Sequence, residues 1–315
     1  MEEVDIEVRG VYKRFGDLAA LNNVSFNIAR NSIFGLLGSN GAGKSTLLHS
    51  MMGLISLDRG EIDILGKDIK KHPKVVRTNV AIVPQKISIY SNLTIFDNLY
   101  FFGKAYGLSH REVMDRISHL AQLLELGSLN RKVKFLSGGY QRRVSFAIAL
   151  IGDPKIIILD EALVGIDLET KRLIIGLLNR LKQTKTIIIT THAVDEIESL
   201  CDYLCFLHKG EKILEGPTKE ILYEYSKKRL NKIIIKFKNS QLIPQVIGDF
   251  FEKDSTLNAY SEGDLLVVEF SSDVFNALDL INLVQSKKVY KDSILGVEIK
   301  KPGLEDIILS LIKPE

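Results

Sequence analysis

The chain has no long apolar run: no stretch approaches the roughly 18–20 residues a bilayer-spanning helix needs, so none of its 315 residues are expected to cross a membrane. It carries little net charge, 42 Lys and Arg against 39 Asp and Glu. That balance gives no electrostatic case for a nucleic-acid partner. It has only two cysteines, Cys201 and Cys205, which fits a reducing cytosol better than a disulfide framework. With His208 they are the one conceivable metal cluster, but three such residues in one apolar segment are expected to be buried structural side chains. The start, Met-Glu-Glu-Val-Asp, has none of the character of a signal peptide, and none is expected. What is present is ordinary globular composition, 45% hydrophobic and 26% charged. At this length, two domains are expected rather than one core.

The most informative segment runs through Gly38, Ser39, Asn40, Gly41, Ala42, Gly43, Lys44, Ser45 and Thr46. A short apolar strand precedes it (residues 31–38), and an apolar helix-compatible stretch (44–52) follows. Strand, glycine turn and helix start gather several backbone N–H groups around one anion at the positive end of a helix dipole. Gly41 and Gly43 permit torsions and close approach that a Cβ forbids. Lys44 is placed to reach the β- and γ-phosphates of a nucleoside triphosphate, and the Ser45 hydroxyl to complete a Mg²⁺ shell.

A second apolar strand, Lys155–Asp160, ends in adjacent carboxylates, Asp160 and Glu161. Its continuous branched-aliphatic run suits a central parallel strand buried on both faces, and ligands bind at the C-terminal edge of such sheets. Asp160 suits the metal, and Glu161 the attacking water. Phosphoryl transfer needs positioning and charge stabilisation more than covalent chemistry, so a lysine and two carboxylates suffice. Between these strands lies Leu136-Ser137-Gly138-Gly139-Tyr140-Gln141-Arg142-Arg143, opening a segment with Val144, Ala147, Ile148 and Ile151 at helical spacing. It is a second anion-binding helix start. Since one nucleotide needs only one phosphate loop, this end is read as offered to the nucleotide of a second copy.

With these motifs in order, the chain resembles an ATP-binding cassette subunit, the ATPase of an ABC transporter. The resemblance covers roughly residues 4–220 and implies an α/β P-loop NTPase (RecA-like) core with an antiparallel β subdomain and a helical subdomain. It places Phe15, rather than Tyr12, on the adenine ring. It gives Gln85, in Val83-Pro84-Gln85, the part of sensing Mg²⁺ and the attacking water. Asp167, in Gly165-Ile166-Asp167, falls in the loop by which two cassettes contact each other's sites, and His192, after the strand 186–190, at the γ-phosphate. Ser137, Gly138, Gly139 and Tyr140 form the signature that would bind in trans. Two positions depart from the family pattern: Tyr140 stands where glutamine is commonest, and Ala162-Leu163-Val164 follow Glu161. Because Glu161 and His192 are both present, a hydrolysing site is expected.

Residues 4–30 read as antiparallel strands. A helical insert is expected over about 86–150, with Thr94 and Asp97 as a near-capping box. The resemblance implies that its groove receives a helix of a transmembrane subunit; Ile89, Tyr90, Phe96, Tyr100 and Phe101 are either that groove or ordinary core. The cassette is placed at 1–220, a helix-like charged linker at 221–231, and an accessory domain at 232–315. That tail reads strand, helix, two strands, helix, strand, which suggests a small ferredoxin-like α+β domain, then an amphipathic helix over 302–312. It is similar to the tails of cassettes from exporters of drugs, lipids, polysaccharides or ions whose membrane subunits are separate chains, and it would regulate, aid dimerisation or stabilise. The expectation is an ATP-hydrolysing motor, dimerising around two ATP·Mg²⁺ on the inner face of the cell membrane. An importer cassette is the alternative. A soluble cassette ATPase is disfavoured because the chain has neither a second cassette nor a long coiled coil, and a GTPase because no Asn-Lys-x-Asp motif occurs.

Overall fold

The computed structural model describes residues 3–191, 197–228, 231–251, 257–270, 275–300, 303–304, 307–308 and 311. Contacts divide the chain into two compact units, Met1–Thr218 and Lys219–Glu315.

The first unit opens with β1 (Val4–Phe15) and β2 (Leu18–Ala29) as an antiparallel pair. It continues with β3 (Ile33–Leu37), α1 (Lys44–Met51), β4 (Arg59–Ile64), β5 (Lys67–Asp68), α2 (Pro73–Asn79) and β6 (Val80–Val83). Then come α3 (Ile95–Ala105), α4 (His110–Leu123), α5 (Gly138–Leu150), β7 (Ile156–Asp160), α6 (Leu168–Leu181), β8 (Thr186–Thr191), β9 (Tyr203–His208) and β10 (Glu211–Pro217). The antiparallel sheet runs β2-β1-β4-β5 and the core sheet β10-β9-β3-β8-β7-β6. From β9 to β6 the core sheet is parallel, with β10 antiparallel at its edge.

All of β3 and β8 and the aliphatic part of β7 are buried, as two-sided cover of a parallel sheet requires. Each such Leu, Ile or Val contributes about 1.5–3 kcal/mol of transfer free energy. The two sheets share one core, in which Phe26 of β2 stacks on Phe34 of β3 with ring centroids 5.2 Å apart. Because β6, β3, β7 and β8 are parallel, their C-terminal ends lie along one edge. The segments that leave that edge hold Gln85, the phosphate loop and Glu161.

In the insert the Thr94–Asp97 pair forms a full capping box: Asp97 N donates to Thr94 Oγ1 at 3.0 Å, and Thr94 N donates to Asp97 Oδ2 at 3.2 Å. Aspartate therefore does here what glutamate usually does. Ser109 and Glu112 form a second box at the start of α4. Cys201 and Cys205 are both buried, and desolvation pushes their thiols well above the ordinary range.

The second unit contains most of α7 (Thr218–Lys228), then β11 (Asn231–Phe237), α8 (Ile243–Phe250), β12 (Asn258–Glu262), β13 (Leu265–Phe270), α9 (Ala277–Gln285), α10 (Lys288–Lys291) and β14 (Ile294–Lys300). The stretch read as a linker is thus largely helical, and the unit starts earlier than 232. Its sheet is antiparallel in the order β12-β13-β11-β14, the ferredoxin-like arrangement. Ile233, Ile235 and Phe237 alternate onto a core shared with Ile243, Val246, Leu280 and Val284 of α8 and α9. The short α10 is not foreshadowed by periodicity. In the terminal stretch read as amphipathic, Leu304, Ile307 and Ile308 are helical and buried; Pro302 and several neighbours lie outside the described residues.

Candidate active site

The phosphate loop leaves β3 and enters α1 through Gly43, whose φ of 103° is left-handed and whose Cβ, if it had one, would lie 2.4 Å from Ala20 O. No side chain caps the start of α1, whereas Thr94, Ser109, Ser137 and Asp167 cap α3, α4, α5 and α6. The first amide N–H groups of α1 are therefore left for an anion. Lys44 is buried; its Nζ donates to Gly38 O at 2.6 Å and to Ser39 O at 3.1 Å. Burial lowers the pKa of the Lys44 ammonium, opposed by the carboxylates of Glu161 and Asp160. Ser45, in the first turn of α1, is exposed, and so is Phe15, 49% exposed at the end of β1 with Lys13 Nζ 5.4 Å from its ring centre.

The carboxylate pair is held from the neighbouring strand. Thr190 of β8 donates its hydroxyl to Asp160 Oδ1 at 2.8 Å, and Glu161 N donates to Thr190 O and Oγ1, both at 3.1 Å. These contacts hold Glu161 at φ 47°, a left-handed conformation that costs a non-glycine residue of order 1 kcal/mol or more. Glu161 Oε2 accepts from Gln85 Nε2 at 2.7 Å. The structure thus brings Gln85, Glu161, Asp160 and Lys44 into one electrostatic environment. His192 lies outside the described residues.

Thr190 is absent from the sequence reading, since a threonine at a strand end signals nothing until register sets it beside Asp160. Thr190→Val keeps the volume and removes the hydroxyl. It is expected to cost about 1–2 kcal/mol of stability, measured by denaturant unfolding, and to lower ATP turnover more than ATP binding.

The signature starts α5 with Ser137 as cap, its Oγ accepting from Tyr140 N at a long 3.3 Å. Ser137 and Gly138 are exposed. Gly139 packs so close to the start of α6 that a Cβ would sit 2.0 Å from Asp167 Oδ2 and 2.7 Å from Thr170 Oγ1. Asp167 caps α6 by accepting from Thr170 N at 2.9 Å, and that hydrogen bond holds its carboxyl below the usual carboxylate range. Tyr140 turns into its own chain: its hydroxyl donates to Leu126 O, and the guanidinium groups of Arg131 and Arg143 lie 5.5 and 5.8 Å from its ring centre. Arg142 donates to Pro84 O at 2.6 Å and to Gln85 O at 2.7 Å. These bonds also escaped the sequence reading, because their acceptors are backbone carbonyls.

Beside the insert, an apolar depression of about 400 Å³ is lined by residues including Met52, Leu54, Ile89, Phe102, Tyr106 and Ile148. None of Ile89, Tyr90, Phe96, Tyr100 and Phe101 is fully buried. Tyr90 and Phe101 are 50% and 48% exposed and meet edge to face with ring centres 5.2 Å apart.

Against known families, residues 21–164 match ABC transporter. A "Nod factor export ATP-binding protein I" of Bradyrhizobium diazoefficiens is 40% identical over 227 residues, 71% of this chain and 74% of the relative. The chain belongs to the ATP-binding cassette family. A protein of the same description from Rhizobium meliloti is 34% identical over 314 residues, so the likeness of this cassette extends through 98% of its length and 88% of the relative. Among solved structures, an ATP-binding subunit of an ABC transporter superposes with a TM-score of 0.65 at 28% identity, over 70% of this chain and 93% of the other. A dimeric cassette in a post-hydrolysis state with ADP and Pi superposes with a TM-score of 0.61 at 28% identity, over 68% of this chain and 98% of the other. The cassette is an ATP-binding ATPase of this family. No described helix is long and apolar enough to cross a membrane.

Proposed function

We propose that this cassette is the ATP-driven motor of an exporter whose membrane-spanning subunits are separate chains, and that two cassettes close head to tail around two ATP molecules. The observation that carries the export reading is the likeness to export ATP-binding proteins, which continues through the ferredoxin-like unit and favours export over import. The composite site is supported by the exposure of Ser137 and Gly138, at the end of α5, to any neighbouring molecule.

In this reading the N–H groups of residues 41–46 and Lys44 hold the triphosphate, Phe15 stacks on adenine, and Ser137 with Gly138 and Gly139 caps the nucleotide of the partner cassette. Asp167 contacts the partner's site. Glu161 accepts the proton of the attacking water, with Gln85 orienting it and His192 at the γ-phosphate. Ser45 Oγ, an Asp160 carboxylate oxygen and the Gln85 amide oxygen are hard oxygen donors of the kind Mg²⁺ prefers. They would hold the ion, which neutralises phosphate charge when bound. ATP favours the closed pair because only there do both halves touch it, and differential affinity is what shifts a conformational equilibrium. The groove beside Tyr90 and Phe101 receives the membrane subunit, which places the cassette on the inner face of the membrane.

Co-expression tests the assignment. The tagged chain is expected to sediment with membranes and co-purify in detergent with the product of a neighbouring membrane-protein gene, and to stay in the supernatant without it. Recovery in the supernatant in both cases would overturn the transport role.

A further inference from the structure

Outside the phosphate loop, the first unit holds a second buried cation that, like Lys44, donates to backbone carbonyls. Arg142 sits in the second turn of α5 and is 5% exposed. Its Nη1 and Nη2 donate to the consecutive carbonyls of Pro84 and Gln85, and its Nε is buried without a hydrogen-bond partner among the described residues. A planar guanidinium gripping two adjacent carbonyls fixes both distance and orientation, which a point charge does not. The gripped segment leaves β6 through Pro84, whose ring restricts its φ, and its next side chain, Gln85, reaches Glu161 Oε2 at 2.7 Å. The helix bearing Arg142 has Ser137 as its exposed cap, five residues and about 7.5 Å upstream. Val144, Phe146 and Ala147, just beyond Arg142, are buried, so the helix tip cannot shift without moving the guanidinium.

We propose that Arg142 is a positioning residue that couples the two nucleotide sites of the dimer: nucleotide seated against Ser137 of one cassette sets Gln85 and Glu161 of that same cassette for hydrolysis at its own phosphate loop. This rests on the composite-site reading above. Under that reading Ser137 belongs to one site and Glu161 to the other, and the Arg142 clamp is the physical link between them within one chain. Without the clamp each site still binds and closes, but the occupancy of one no longer prepares the other.

The test uses the full chain. Wild type is expected to hydrolyse ATP with a Hill coefficient approaching 2, the number of sites. Arg142→Lys retains the charge and loses the fork; Arg142→Met retains bulk and removes the buried charge, and so provides a folded variant should the lysine form be unstable. Both are expected to bind a fluorescent ATP analogue within about twofold of wild type, to lose about tenfold in kcat, and to show a Hill coefficient near 1. In a Glu161→Gln background both are expected to dimerise with ATP. A fall in kcat with the Hill coefficient unchanged marks a merely structural residue and overturns the proposal, as does an unchanged kcat. Absence of ATP-dependent dimers in the Glu161→Gln parent itself would instead count against the composite site.

Discussion

Glu161→Gln is expected to lower ATP turnover by about a hundred- to a thousand-fold, the usual contribution of a positioned general base, while leaving ATP affinity within a few-fold. The exchange is nearly isosteric. The amide oxygen it introduces can still accept from Gln85 Nε2, which in the native chain donates to Glu161 Oε2 at 2.7 Å, and the backbone contacts to Thr190 are untouched. What goes is the charge and the capacity to take a proton. In the proposed dimer the closed pair should then accumulate with ATP, because the γ-phosphate that would bridge its two halves is no longer removed. Phosphate release measures the first effect and light scattering the second. A rate within about twofold of wild type would show that Glu161 only orients Gln85.

Ser137→Arg is expected to abolish ATP-driven dimerisation and with it nearly all turnover, while the monomer still binds ATP within about twofold. The loss of the cap costs roughly 0.5–1 kcal/mol at most, since the bond from Tyr140 N is already long at 3.3 Å, and an exposed position leaves room for the larger side chain. Moving closure from 1:99 to 99:1 requires about 5.5 kcal/mol of differential binding, shared between two nucleotides. If the proposed contact is right, an arginine there would displace the α5 N–H groups that supply that difference. Dimers of normal mass in light scattering would show that the tip of α5 is not part of the partner's site.

The phosphate loop, the strand ending at Asp160 and the helix opened by Ser137 are legible in the sequence because each is a contiguous run whose residue types serve one local geometry. The succession of strands and helices in the tail is legible for the same reason, and the structure places Ile233, Ile235 and Phe237 of its first strand in the core. The arrangement between segments is harder to read. Arg142 meets Pro84 and Gln85 across the fold at main-chain atoms, and carbonyls are common to every residue type. Thr190 joins the candidate site only through register with Asp160. Tyr140, noted as a departure from the family pattern, has its reason in Arg131, Arg143 and Leu126, which surround it within its own subunit.

The central strand β3 has both its neighbours, β8 and β9, far downstream in the chain. A ribosome that has emitted the glycine loop and α1 has therefore made the whole phosphate loop in sequence but only β3 of the six-stranded sheet that shapes it. Synthesis must run on to Thr186 before Ile33–Leu37 acquires a partner on one side, and to Tyr203 before it acquires the other. Until then its unpaired backbone edges stay open to wrong pairings. Nascent fragments ending before Thr186 should accordingly be clients of holding chaperones, and nucleotide can act as a folding ligand only once β9 has been made, with the second unit still to come.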